Sequence, residues 1–109
     1  MSFQLKLTPD FERSIKRLAK RYRSLPTELN QLMQELRVRP ETGKSIGHGC
    51  YKIHLAIASK GTGKRGGARV ITYVRVVQET VFLLAIYDKS ERASISDQQV
   101  RELIAALVE

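Results

Sequence analysis

The 109-residue sequence contains one cysteine, Cys50. That excludes an intramolecular disulfide or a multi-cysteine zinc site, and a reducing compartment is the simplest reading. No run of eighteen apolar residues occurs, and the N-terminal MSFQLKLTPDFERS carries no apolar stretch of signal-peptide length. Neither a membrane span nor a secretory leader is expected, which points to a cytoplasmic protein. A third absence is more specific: no aspartate or glutamate stands between Glu41 and Glu79.

Positive charge fills that acid-free stretch. Lys44, Lys52, Lys60, Lys64, Arg65, Arg69 and Arg75 all lie inside it, while the rest of the chain is nearly balanced, so one segment supplies almost the whole formal charge of +8. Solvated surfaces usually intersperse both signs. A local excess of one sign implies a polyanionic partner.

A chain of this length with 42% apolar residues buries one modest core, so residues 1–109 are expected to form a single domain. Phe3, Leu5 and Leu7 alternate with polar residues as in a short half-buried strand. Thr8 then offers an N-cap hydroxyl, with Pro9 at the first helical position and Asp10 and Glu12 at the positive end of the helix dipole. The stripe Phe11, Ile15, Leu18, Tyr22 predicts the buried face of this helix. A second helix follows Ser24 and Pro26, with Leu25, Leu29, Leu32, Met33 and Leu36 at helical spacing until Pro40 ends it.

Residues 41–49 read as loop. Tyr51, Ile53, Leu55 and Ile57 alternate with Lys52, His54, Ala56 and Ala58 in a second strand, and residues 68–77 form a β-branched third strand. Between them SKGTGKRGG makes a basic, glycine-rich hairpin tip. After a turn at 78–80, Val81 to Tyr87 is apolar on both faces, as in a strand covered on both sides. Ser94 and Ser96 are candidate caps of a last helix, with Gln99 at capping-box spacing from Ser96 and a stripe of Val100, Leu103, Ile104 and Leu107. The predicted class is α+β, in the order β-α-α-β-β-β-α, with an antiparallel-rich twisted sheet packed by two N-terminal helices and one C-terminal helix.

Gly61, Gly63 and Gly66 match a GxGxxG pattern but open no helix, so no nucleotide site is expected there. The same glycines let backbone N–H groups approach a phosphate, with Lys60, Lys64 and Arg65 supplying charge. Alternation puts Lys52 and His54 on one face of strand two, and Arg69, Ile71, Tyr73 and Arg75 on one face of strand three. If these faces coincide, cations, an imidazole and a phenol meet on one surface suited to a phosphodiester. Cutting RNA without a metal requires a base for the 2′-hydroxyl, charge for the phosphorane and an acid for the leaving oxygen. His54 alone on that face has an ordinary titration range near neutrality, which makes it the acid–base candidate. His48 has no partner at a readable spacing. Two histidines and one cysteine make no metal set, and no cofactor is expected. Asp88 and Glu91 are expected to pair locally with the neighbouring Lys89 and Arg92.

Tyr51-Lys52-Ile53-His54-Leu55, the basic tip, Gly67-Ala68-Arg69-Val70-Ile71 and Leu84-Ala85-Ile86-Tyr87-Asp88-Lys89, taken in order, resemble the RelE/ParE superfamily of toxins, and within it the HigB-like branch. The resemblance covers nearly the whole chain. It implies a RelE-like fold and the toxin of a type II toxin–antitoxin pair. Such a toxin enters the ribosome, cleaves mRNA there and is neutralised by a cognate antitoxin. By position the resemblance implies a catalytic set of Lys52, His54, Arg69, Tyr87 and Lys89, with Lys60, Lys64, Arg65, Tyr73 and Arg75 on the RNA-binding surface. The chain departs from the RelE pattern at Ser90, where RelE has an arginine, and at Ser96, where RelE has a tyrosine base further on. Two other functions stay open on these residues: a ParE-like DNA gyrase inhibitor, and a catalytically silent RNA-binding member of the fold.

Overall fold

A computed structural model describes residues 2–60 and 67–107, apart from the side chain of Lys60. The chain begins with β1 (Gln4–Leu7) and continues through α1 (Pro9–Arg21) and α2 (Leu25–Val38). Four strands follow, β2 (Lys44–Gly47), β3 (Cys50–Leu55), β4 (Ala68–Arg75) and β5 (Thr80–Asp88), and then α3 (Asp97–Ala105). The five strands form one sheet in the order β1-β5-β4-β3-β2. β1 runs parallel to β5 and every other neighbouring pair is antiparallel. The class is the expected α+β.

Helix starts follow the local chemistry. Thr8 Oγ1 accepts the Phe11 N–H at 3.1 Å, capping α1, and its own hydroxyl donates to the Leu84 carbonyl of β5 at 3.1 Å. At α3 the Ser96 side chain accepts from Gln99 N while Gln99 Oε1 accepts from Ser96 N, the two halves of a capping box. Ser94 is not a cap; its carbonyl accepts from Arg92 Nε. Ser24 precedes α2 without capping it, and its hydroxyl instead bonds Glu28 and Ser59.

Two apolar layers sandwich the sheet. α1 and α2 bury Phe11, Leu18, Leu25, Leu29, Leu32 and Leu36 against Ile53, Leu55, Val70, Leu83 and Ile86. On the opposite face Val100 of α3, with Leu103, Ile104 and Leu107 beside it, covers Ile71, Phe82, Leu84 and Tyr87. β5 is therefore apolar on both sides, as its sequence implied. The β4–β5 register shifts between Ile71 and Thr72, leaving Leu84 as the extra residue of a bulge. Leu84 and Ala85 in consequence both join the α3 layer, while Ile86 returns to the other.

Three expectations are corrected. The segment 41–49 is not all loop, because Lys44–Gly47 pairs with β3 as an edge strand. Its alternation is too short, and too broken by glycine, to register as a period. β3 ends at Leu55 rather than Ile57, where the chain enters a single 3-10 turn at Ala58–Lys60. β4 ends at Arg75, leaving Val76 and Val77 exposed in the turn to β5 despite their β propensity.

Candidate active site

The ladder places the predicted residues in rows across the α3 side of the sheet. His54 of β3 stands opposite Arg69 of β4, and Arg69 stands opposite Tyr87 of β5. Residues directly opposite share a face, with Cβ atoms about 5 Å apart. Three neighbouring strands thus contribute an imidazole, a guanidinium and a phenol to one line. In the adjoining row Lys52 stands opposite Ile71, and Ile71 opposite Ala85.

Lys89, just past β5, closes the row from the other side. Its Nζ lies 3.4 Å from Nδ1 of His54, and its backbone N–H donates to Gly67 O at 3.4 Å. An ammonium has no lone pair, so Nδ1 must be the acceptor; that places the ring N–H of a neutral His54 on Nε2. Gly67 is required beside it by close approach. A Cβ there would collide with the Leu55 carbonyl oxygen and lie 2.8 Å from His54 Cε1. Any side chain at position 67 would displace the imidazole or the strand.

Two polar atoms in this row have no hydrogen-bond partner among the described residues: Arg69 Nε and the Tyr87 hydroxyl, both buried. Buried polar groups are nearly always bonded, so each of these two is a position where water or a ligand supplies the partner. Tyr87 is only 5% exposed. Its ring lies under the guanidinium of Arg92, 5.4 Å from carbon to centroid. Tyr87 and Arg92 line an open groove of about 470 Å³ with Gln99 and Glu102 of α3 and Asp10 of α1. Arg92 was not singled out by sequence, since only the chain's return over β5 brings it above the phenol.

Asp88 points to the opposite side and is fully buried. It accepts from the Tyr22 hydroxyl at 2.6 Å, from Ser90 N at 2.9 Å and from Ser90 Oγ at 2.8 Å. Glu91 pairs with Arg17 at 3.0 Å and Arg21 at 2.8 Å. The expected local pairing with Lys89 and Arg92 is therefore wrong: both carboxylates turn to α1, far away in sequence, which leaves Lys89 directed to His54. Ser90, where the family resemblance leads to an arginine, serves this network by binding Asp88.

Other sequence candidates are spread more widely. Tyr73 shares the face but is half-buried, stacked on Phe82 with centroids 6.0 Å apart. Arg75 pairs with Thr80 six residues beyond Arg69, about 20 Å along the strand. Lys64 and Arg65 lie outside the described residues, as does the side chain of Lys60. Among the described residues no three His, Cys, Asp or Glu side chains gather as a metal-binding group, and no helix is long and apolar enough to cross a membrane. His48, which has no partner at a readable spacing along the chain, reaches Asp97 with Nε2 3.1 Å from Oδ1, tying the β2–β3 turn to the start of α3. Cys50 is buried beneath the same turn, and burial pushes its thiol up to about 11.

A family model described as the RelE toxin of the RelE/RelB toxin–antitoxin system matches residues 7–107. The chain belongs to the RelE toxin family. It is the toxin component of a toxin–antitoxin system, and membership implies an antitoxin partner. Two solved structures are similar in fold. One is a free-state E. coli RelE toxin carrying two arginine-to-alanine substitutions, at 20% identity and TM-score 0.62 over 99% of this chain and 100% of that one. The other is the isolated E. coli RelE toxin in a crystal form, at 22% identity and TM-score 0.57 over 96% and 99% of the two chains.

Proposed function

We propose that this RelE-family toxin is a ribosome-dependent mRNA endonuclease that cleaves without a metal ion, with Lys52, His54, Arg69, Tyr87 and Lys89 as its working residues. The observation that carries this reading is the single row of His54, Arg69 and Tyr87, closed by Lys89 at 3.4 Å from the imidazole. Arg69 supplies positive charge where the phosphorane gains a negative one, and Lys52, one row away, holds the RNA backbone beside it. The imidazole, accepting from Lys89 at Nδ1, presents its Nε2–H to the leaving 5′-oxygen. As that proton leaves, Nδ1 takes one from Lys89, so the ring stays neutral and the ammonium is the net donor, while the proton of the attacking 2′-hydroxyl passes to solvent water. Tyr87 places its buried hydroxyl at the far end of the row, under the ring contact with Arg92 that borders the groove.

The partners under this reading are mRNA in the ribosome and a cognate antitoxin whose acidic or amphipathic segment covers the basic face. The test is to induce the toxin in cells and map mRNA 5′ ends, beside a His54→Ala and an Arg69→Ala variant. New ends that vanish in both variants are the expected result. Growth arrest with intact transcripts overturns the proposal, and double-strand breaks in DNA at that point would assign a gyrase poison instead. Unchanged toxicity in both variants would assign a silent binder.

A further inference from the structure

β2, which escapes notice in the sequence, adds one more cation to the site. Lys44 stands directly opposite Lys52 in the β2–β3 ladder. The two side chains leave the same face of the sheet from Cβ atoms about 5 Å apart. Among the described residues neither forms an ion pair with a carboxylate. Like charges directly opposite destabilise a sheet. An edge strand is commonly guarded by a lysine, but guarding does not require a second lysine across from it.

The register that creates this pairing is mechanically fixed. Gly43 has φ +103°, and a Cβ on it would lie 2.6 Å from Lys52 O and 2.7 Å from Ile53 Cγ1. The chain therefore presses against β3 immediately before Lys44, and only glycine fits there. Slippage by one residue would turn Lys44 to the other face. The Lys44–Lys52 row lies two residues from the His54–Arg69 row, about 7 Å along β3. That offset is comparable to one nucleotide step of an extended RNA backbone.

We propose that Lys44 is an RNA-phosphate ligand that works with Lys52 to hold the phosphate neighbouring the scissile one. This inference rests on the endonuclease reading and deepens it: the substrate is bound as an extended single strand running along β3 and leaning toward β2. Bound phosphate neutralises the repelling pair, so the lysines are arranged for the complex rather than for the free protein.

The test uses the whole chain with a labelled single-stranded RNA oligonucleotide at graded salt, beside cleavage on ribosomes programmed with mRNA. Lys44→Ala is expected to weaken RNA binding about fivefold and to lower the slope of log affinity against log salt by about 0.7, the loss of one phosphate contact. It is also expected to raise KM with kcat nearly unchanged, and to leave the melting temperature equal or slightly higher because repulsion is relieved. Lys44→Arg restores binding, and Lys20→Ala on exposed α1 leaves every readout unchanged. Unchanged affinity and salt slope in Lys44→Ala, with Lys52→Ala impaired and the wild type active, overturns this inference alone. A wild-type protein that neither binds nor cleaves RNA overturns the endonuclease reading and the inference with it.

Discussion

Lys89 Nζ lies 3.4 Å from His54 Nδ1, although 35 positions separate the two residues in the chain. The contact joins the first residue of the turn after β5 to a strand two places away in the sheet. It fixes which imidazole nitrogen faces outward. Under the proposed endonuclease function, His54→Ala and Lys89→Met are each expected to lower the rate of mRNA cleavage by about 10²- to 10⁴-fold, the usual worth of a positioned proton donor. His54 is exposed and Lys89 half-buried, so both variants should unfold within about 0.5 kcal/mol of the wild type. Single-turnover cleavage on programmed ribosomes, paired with urea titration, checks both halves.

Gly67→Ala attacks the same site through sterics. The added methyl meets Leu55 O and His54 Cε1, and overpacking of this kind costs about 1–3 kcal/mol. The expected outcome is a lower urea midpoint together with a larger loss of cleavage than the stability change accounts for. An alanine variant with wild-type activity would show that the imidazole need not sit where the structure places it.

Asp88 accepts hydrogen bonds from Tyr22 and Ser90 in a fully buried setting. Asp88→Ala removes the acceptor that holds α1 to the end of β5, and is expected to cost about 3 kcal/mol. Tyr22→Phe, which deletes only one of these bonds, should cost about half as much. Equilibrium urea unfolding of both variants measures the difference.

Burial pushes the Cys50 thiol from 9.0 up to about 11. The folded state disfavours the thiolate, so this group's contribution to stability is complete below about pH 9 and declines as pH rises through about 11. At pH 8 the thiol should resist alkylation in the folded protein and react at the ordinary rate in urea. Rapid native labelling at pH 8 would contradict the buried placement. Cys50→Ala should flatten the alkaline end of the stability profile.

The sequence by itself determined the helices, because caps and stripes are local: Thr8 and Ser96 bond the turns they precede, and Phe11 and Leu18 fall on one face by helical period alone. Strand alternation likewise put Lys52 with His54, and Arg69 with Tyr73. The order of strands, the parallel entry of β1 beside β5, and the bulge at Leu84 were not legible, since each depends on which strand finds which neighbour. Only tertiary structure decided that the faces carrying His54, Arg69 and Tyr87 coincide. It alone turned Asp88 and Glu91 toward α1, and it alone set Lys44 across from Lys52. The physical reason is that period fixes which side of a strand a residue occupies, whereas register between strands is set by non-local packing and by contacts such as Gly43 against Lys52.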